Sequence, residues 1–295
     1  MSTMAEIDKA LGIKTLFQAL IAQIFRRSVT TVYRWIPSLM RLHRPVIDRG
    51  RYLLQFSPTR FAMLLYRYPA LRRDDEQFLS RFLEPGMTFV DVGANIGTMT
   101  LAAANAVGHS GTVIAFEPHP GTFRDLSGSV SLNPELASCI SLVASAVGDT
   151  TGSARISDLL ENDINHIGDN GIAVPMTTLD VALEETPHID LLKIDVEGYE
   201  RNVLRGASRT LAKTDAIYFE NCEANFAQFG YSVDDIFELL KAAGFDCYAV
   251  DPTDFRLTEV GQGRRCAQGY ENLLARKAGG GERRHHVLLA ASTGV

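Results

Sequence analysis

In this chain acids recur at one kind of place, directly after a short apolar run. Asp91 lies in TFVDVGANIG (88–97), Glu117 in VIAFEPHP (113–120), Asp195 and Glu197 in LLKIDVEGYE (191–200), and Glu220 in YFENCE (218–223). The first run leads into a glycine turn. Gly93 and Gly97 are spaced G-x-x-x-G, unlike the G-x-G-x-x-G of dinucleotide folds, whose middle glycine admits a pyrophosphate to the backbone. The Walker spacing with its Lys-Ser/Thr is absent as well. A carboxylate at Asp91 would repel a phosphate and suits a cation, such as the amino group of a methionine moiety. Glu117 follows Gly97 by twenty residues, where an acid accepts hydrogen bonds from ribose hydroxyls. Together these features point to S-adenosylmethionine rather than NAD or ATP.

A second chemistry resides in KIDVEGYE (193–200). Strand alternation puts Lys193, Asp195 and Glu197 on one side. Methyl transfer to oxygen needs an acceptor in line with the sulfonium methyl and a base for its proton. A carboxylate serves if it is desolvated and aimed at the hydroxyl. Asp195 is the expected base and Glu197 a second, as base or as a partner of an acceptor hydroxyl, with Glu220 placed to join them. Such acids could equally hold Mg²⁺, which would lower the acceptor's pKa. Nothing in the sequence separates the two schemes, and Mg²⁺ stays an option rather than an expectation. His166 is another candidate base, with a solvated loop histidine as its plainer role. The other members also have plainer roles. Lys193 can pair with Asp195 or Asp180, a charge inside a buried strand needing a partner. Glu200 suits the first turn of a helix, and Asn95 suits a helix N-cap. Tyr199, Tyr218 and Phe219 read as packing, and His119 as an exposed loop residue.

The elements that must position these residues alternate. RRDDEQFLSRFL (72–83) is a helix stopped by Pro85-Gly86. MTFVDVG (87–93), GTVIAFEPHP (111–120), ISLVASAVGD (140–149), HIDLLKIDVEG (188–198), AIYFEN (216–221), DCYAVD (246–251) and ENLLARK (271–277) read as strands. NIGTMTLAAANAV (95–107), TFRDLSGSVSLN (122–133), YERNVLRGASRTL (199–211) and SVDDIFELLKAAGF (232–245) read as helices, the last opening with Ser232 and Asp235 in capping-box spacing. Residues 150–180 form a short β excursion around a polar loop (159–171). The alternation implies right-handed βαβ crossovers and a mostly parallel sheet, with ligands beyond the carboxyl ends of its strands.

The run DVGANIGTMTLAAA, then VIAFEPHP, TLD (178–180) and LLKIDVEGYERNVLRGA (191–207), resembles the FkbM-type S-adenosylmethionine-dependent methyltransferases, from about residue 74 to 275. The resemblance implies a class I methyltransferase fold, a Rossmann-like α/β domain with a seven-stranded, mostly parallel sheet whose last strand is antiparallel and with helices on both faces. It implies O-methylation of a hydroxyl on a sugar, glycan or natural product. By it Asp91, Gly93, Asn95 and Gly97 line the methionine end, Glu117 the ribose, and Ser145-Ala146 the adenine, while Asp195 and Glu197 serve the acceptor. Rival readings are an NAD-linked oxidoreductase, which lacks its glycine fingerprint here, and a membrane-associated or scaffolding protein that keeps the fold without turnover.

Bulk properties agree with an ordinary globular chain: 295 residues, 46% hydrophobic, 22% charged, net charge −6. Residues 1–60 carry ten basic and three acidic residues, leaving nineteen basic against thirty-two acidic in the remainder. So acidic a body argues against broad nucleic-acid binding. Residues 1–70 read as a helical extension, with Leu16, Leu20 and Ile24 at helical spacing and Arg26, Arg27, Arg34 and Arg41 beyond them. It suits a cap on residues 71–277, an oligomer contact, or, through the basic arm 1–60, an anionic membrane surface. No secretory signal pattern precedes it, and the four scattered cysteines suit a reducing compartment. A cytoplasmic protein is expected, with contact to the inner face of a membrane left open. Residues 278–295 read as a flexible tail.

Overall fold

The computed structural model describes residues 46–57, 59–158, 165–264, 266 and 269–277. Residues 1–45 of the expected helical extension, residues 159–164 of the expected polar loop and the expected tail at 278–295 lie outside the described residues.

The described chain opens with a hairpin of β1 (Val46–Asp48) and β2 (Leu53–Gln55), followed by α1 (Arg60–Arg67) and α2 (Arg73–Phe82). The helical expectation for residues 1–70 therefore fails over the hairpin. Its turn is set by Gly50, which has φ +88° and donates its N–H to Asp48 Oδ1 at 2.7 Å. Arg49 docks this hairpin. Its buried guanidinium donates to Glu76 Oε1 (2.7 Å) and to the carbonyls of Pro69 and Leu71. Tyr52 adds a hydrogen bond to the same Glu76 oxygen, also at 2.7 Å.

Next come β3 (Thr88–Val92), α3 (Thr98–Val107), β4 (Thr112–Phe116), α4 (Pro120–Ser131), α5 (Pro134–Ala137), β5 (Ile140–Val143), β6 (Ala146–Val147), β7 (Gly152–Ile156), β8 (Ile172–Thr177) and α6 (Leu179–Ala182). They are followed by β9 (Ile189–Ile194), α7 (Glu200–Arg205), α8 (Ser208–Ala212), β10 (Thr214–Asn221), α9 (Glu223–Gln228), α10 (Val233–Ala242), β11 (Phe245–Val250), β12 (Leu257–Val260) and β13 (Glu271–Lys277).

The main sheet runs β12-β11-β13-β10-β9-β3-β4-β5. From β5 to β10 neighbours are parallel; β13 is antiparallel to both β10 and β11. This is the α/β class I methyltransferase architecture, with eight strands where seven were expected. The addition is β12, which folds back antiparallel on β11 after a turn in which Asp251 Oδ1 accepts the N–H groups of Thr253 and Asp254. A further difference lies at 140–149, expected as one strand. After β5 the chain leaves the main sheet, and β6 joins a separate three-stranded sheet, β6-β8-β7, which is the β excursion.

All six residues of β9 are buried, as a central parallel strand requires. From β3 the chain winds outward through β4 to β5, and from β9 it winds the other way. The switch point therefore falls between β3 and β9, and a ligand crevice belongs at their carboxyl ends. Apolar clusters fill both faces. Leu54, Phe61, Phe78 and Phe89 pack on one side, so the hairpin, α1 and α2 share that core. Leu192, Phe219, Phe226 and Ile236 pack on the other. The unpaired edge of β2 is covered by side chains: Ser129 Oγ accepts from Gln55 N, and Asn133 Oδ1 accepts from Leu53 N. Among the described residues no helix is long and apolar enough to cross a membrane.

Candidate functional site

A pocket opens at the switch point. One flank is the glycine turn after β3. Gly93 has φ +83°, and a Cβ there would overlap the carbonyl oxygen of Asp195 in the loop after β9. Only glycine lets these two strand ends close on each other. Asp195 N–H donates to Val92 O (3.1 Å), and the N–H groups of Gly93 and Ala94 both donate to Phe116 O.

Lys193 ties the junction together from beneath. Its Nζ donates to Gly93 O at 2.7 Å and lies 3.1 Å from Asp91 Oδ1 and 3.8 Å from Asp195 Oδ2. Burial alone would lower its pKa, but Asp91 and Asp195 outweigh that and raise it. Asp180, the alternative partner, is occupied elsewhere: its carboxylate accepts from the N–H groups of Arg209 and Thr210 at the start of α8. Asp91 was expected to face a methionine amino group. It is fully buried behind the pocket wall, held by Lys193 and by Thr100 Oγ1 at 2.7 Å. Gly97 is also outside the pocket lining. It caps α3 with φ +97°, a position expected for Asn95, and packs toward Leu126 of α4.

Asn95, Glu117, Ser145 and Ala146 do line the pocket, beside Gly93. Asn95 takes a left-handed φ of +50°, which turns its N–H onto Glu117 Oε2 at 3.0 Å. Glu117 Oε1 accepts the N–H of His119 at 2.9 Å. Burial pushes the Glu117 carboxyl up to about 7 against the pull of these two N–H groups. His119, expected to be exposed, is buried at the N-cap of α4; its Nδ1 accepts from Thr122 N, and Nε2 lies 3.2 Å from Asp158 Oδ1. Ser145 Oγ donates to Ala146 O and Pro175 O, at the seam between the two sheets. Thr98 Oγ1 is buried in this wall with no hydrogen-bond partner among the described residues.

The opposite flank is acidic. Carboxylate oxygens of Asp195, Glu197 and Glu220 lie within 4.8 Å of one another, a donor set able to hold a metal ion. The convergence does not come from strand alternation, because β9 ends at Ile194. It comes from the loop, where Glu197 is left-handed at φ +53° and Gly198 follows at +100°. Glu200 shapes that loop, its Oε1 accepting the N–H groups of Val196 (2.9 Å) and Gly198 (3.4 Å). Asn225 Nδ2 donates to Glu197 Oε2 at 2.9 Å. Burial, then the charge of Asp195, pushes Glu197 up to about 8 and Glu220 up to about 9.

Arg72, Asp75 and Asn272 also line this flank, and the sequence reading missed them. Asp75 Oδ1 accepts from Tyr218 OH (2.8 Å) and Asn272 Nδ2 (2.9 Å), while its Oδ2 lies 3.3 Å from Arg72 Nη1. Arg72 and Asp75 sit in RRDDEQ, whose charges signal only a helix start. Tyr199 and Tyr218 line the pocket as well as pack, and His166 faces it from the neck of the excursion loop.

The chain is 29% identical over 134 residues to the hexuronic acid methyltransferase AglP of Haloferax volcanii. That match covers 44% of this chain, and the chain spans about half (54%) of the relative's length. Among solved structures, methyltransferase FkbM from Methylobacillus flagellatus matches 84% of this chain and 60% of its own at 14% identity and a TM-score of 0.43. The SAM-dependent O-methyltransferase TM0748 of Thermotoga maritima matches 77% and 73% at 16% identity and a TM-score of 0.42. The methyltransferase FkbM domain model matches residues 91–247, more than half of the chain. The chain belongs to the FkbM methyltransferase family.

Proposed function

We propose that the protein is an S-adenosylmethionine-dependent O-methyltransferase whose acceptor is a hydroxyl on a sugar, glycan or natural product. One observation carries this reading. Glu117, with a hydrogen-bond-accepting carboxylate, and the acid cluster at Asp195 line opposite flanks of a single pocket at the carboxyl ends of β3, β4 and β9. The AglP name supports a sugar acceptor.

The residues fit the cofactor. Each Glu117 oxygen accepts one backbone N–H and keeps a lone pair for a ribose hydroxyl. Gly93 leaves backbone accessible where a Cβ would block the turn, and Thr98 Oγ1 is a buried donor without a partner among the described residues. Gly93, Asn95 and Thr98 would hold the methionine end, Glu117 the ribose, and Ser145 with Ala146 the adenine edge. Asp91 and Gly97 act from behind, one by anchoring Lys193, the other by seating α3. When bound, the cofactor supplies an electrophilic methyl, which the acceptor oxygen takes while the C–S electron pair stays on sulfur. Asp195 receives the hydroxyl proton, Glu197 orients the acceptor, and Tyr199 and His166 flank it.

The test is calorimetric titration with S-adenosylhomocysteine, with NAD and ATP as controls. Micromolar binding of S-adenosylhomocysteine alone is expected. Glu117→Ala should weaken it by about a hundredfold, since charge-assisted hydrogen bonds contribute roughly 1.5–3 kcal/mol each. No binding, or equal binding by the variant, rejects the assignment.

A pH series on the same protein separates ionised from neutral Glu117. Lys193 and Asp91 are the charged groups that act on it. Because the carboxyl titrates at about 7 in the fold, affinity should rise about tenfold per pH unit below 7 and level off above it. Stability of the free protein responds the other way. The folded state holds this proton more tightly than the unfolded chain, whose carboxyl titrates near 4.5, so its contribution is greatest below 4.5 and declines as pH rises to about 7. A flat affinity profile from pH 5.5 to 8.5 would exclude ionised Glu117 as the ribose acceptor.

A further inference from the structure

We propose that Arg72 selects the methyl acceptor: its guanidinium donates to a hydroxyl next to the one that is methylated, so the acceptor presents a neutral vicinal diol of a sugar. The inference deepens the function proposed above and rests on it. It starts from the backbone. Arg72 caps α2 with φ +62° and ψ 16°, a left-handed conformation that strains a residue with a side chain. Glycine or a short polar residue is the usual occupant of such a cap, and Arg72 makes no side-chain bond to the helix end. The helix therefore gives no reason for an arginine here. The surroundings hold the strained turn in place. Arg49 donates to the carbonyls of Pro69 and Leu71 just before it, and Glu76 N–H donates to Arg72 O (3.2 Å) just after it. The result is a guanidinium in the pocket wall.

That guanidinium is braced on one side and open on the other. Its Nη1 donates to Asp75 Oδ2 at 3.3 Å, and Cζ lies 6.0 Å from the centre of the Tyr270 ring. Asp75 in turn is fixed by Tyr218 OH and Asn272 Nδ2. Among the described residues the Arg72 side chain makes no other hydrogen bond, and none of its unpaired nitrogens is sealed inside the protein. Lys193, the other lysine or arginine of the lining, is committed to Asp91 and to the carbonyl of Gly93. Arg72 is thus a fixed, charged donor with N–H groups left for an acceptor. Its neighbours decide what it can take. Burial lowers its pKa, and the charges of Asp195, Asp75 and Glu220 more than restore it. An anion placed at Arg72 would face those same acids. An isolated alcohol at Asp195 would leave the fork unpaired. A hydroxyl both accepts and donates, so it can take an N–H of Arg72 and give its own proton to a carboxylate. Two hydroxyls on adjacent ring carbons let one meet Arg72 while the other meets Asp195.

The experiment measures transfer of labelled methyl by the full-length protein to methyl hexopyranosides, to the same glycosides with single hydroxyls removed, and to the matching hexuronates. S-adenosylhomocysteine binding is titrated separately. In kcat/KM the wild type should favour a neutral diol at least about tenfold over its hexuronate and over the analogue lacking the neighbouring hydroxyl. Arg72→Gly removes the side chain and suits the left-handed backbone, so the fold is kept. It should lower kcat/KM for the diol about ten- to hundredfold, the value of one hydrogen bond to a charged group, and that for the deoxy analogue less than about threefold. Its S-adenosylhomocysteine affinity should match the wild type. Equal losses on diol and deoxy analogue would make Arg72 a brace of the wall and overturn the proposal. So would a wild-type preference for hexuronates, or a protein that binds S-adenosylhomocysteine and methylates none of these sugars. A wild type that does not bind S-adenosylhomocysteine rejects the methyltransferase reading itself, which is a separate result.

Discussion

Replacing Lys193 with methionine is expected to cost about 3–5 kcal/mol of stability, the usual consequence of stripping a buried charge of its partner. Asp91 and Lys193 face each other in register across β3 and β9, and both are almost wholly buried. The methionine fills the volume of the lysine stem but leaves Asp91 with Thr100 as its one remaining side-chain donor. It also removes the donor to Gly93 O, so the glycine turn that lines the pocket loses its tie to β9. Because the damage comes from the orphaned carboxylate, Asp91→Asn in the same protein should recover part of the loss. The double variant should be more stable than the sum of the single changes implies, by at least about 1 kcal/mol of coupling. Urea unfolding of the three variants measures this. A single Lys193→Met variant within about 1 kcal/mol of wild type would show that the pair is not the clamp described.

The same pair shows where sequence reading succeeded and where it stopped. The G-x-x-x-G turn and the strand-end acids point to a pocket at the carboxyl edge of a parallel sheet, and one is there, because strand period and glycine spacing are local properties. The depth of each acid is not local. Asp91 and Glu117 both follow an apolar run, yet only Glu117 faces the pocket, since Asp91 lies within β3 and Glu117 just past the end of β4. Strand alternation was the reason for placing Asp195 beside Glu197, with Glu220 joining from the next strand, but alternation is not what brings the two together. A left-handed Glu197 and the Glu200 carboxylate bend the loop instead. Arg72, Asp75 and Asn272 reach the site from α2 and β13, nearly 200 residues apart in the chain, and no periodicity could bring them together. The hairpin at 46–55 was missed because its two strands are three residues each, too short for alternation to register.

Asp195→Asn should lower kcat by about 10²–10⁴-fold, the range typical of a lost general base, and leave S-adenosylhomocysteine affinity within a few-fold of wild type. The substitution keeps the shape of the side chain, and the backbone N–H of Asp195 still donates to Val92 O, so the wall around Gly93 survives. What disappears is the carboxylate nearest the strand mouth, which also acts electrostatically: it lies 3.8 Å from Lys193 and raises the proton affinity of Glu197 and Glu220. Without it, Glu197 and Glu220 each lose a like-charge neighbour and ionise more readily, so a residual rate carried by Glu197 should level off below the pH of about 8 at which Glu197 titrates in the wild type. The readout is transfer of labelled methyl to a panel of hexose and hexuronic acid glycosides, followed as kcat and KM across pH with the best acceptor found for the wild type. An Asp195→Asn enzyme that keeps its kcat per folded molecule but melts early would make Asp195 a structural partner of Lys193, and would pass the role of base to Glu197.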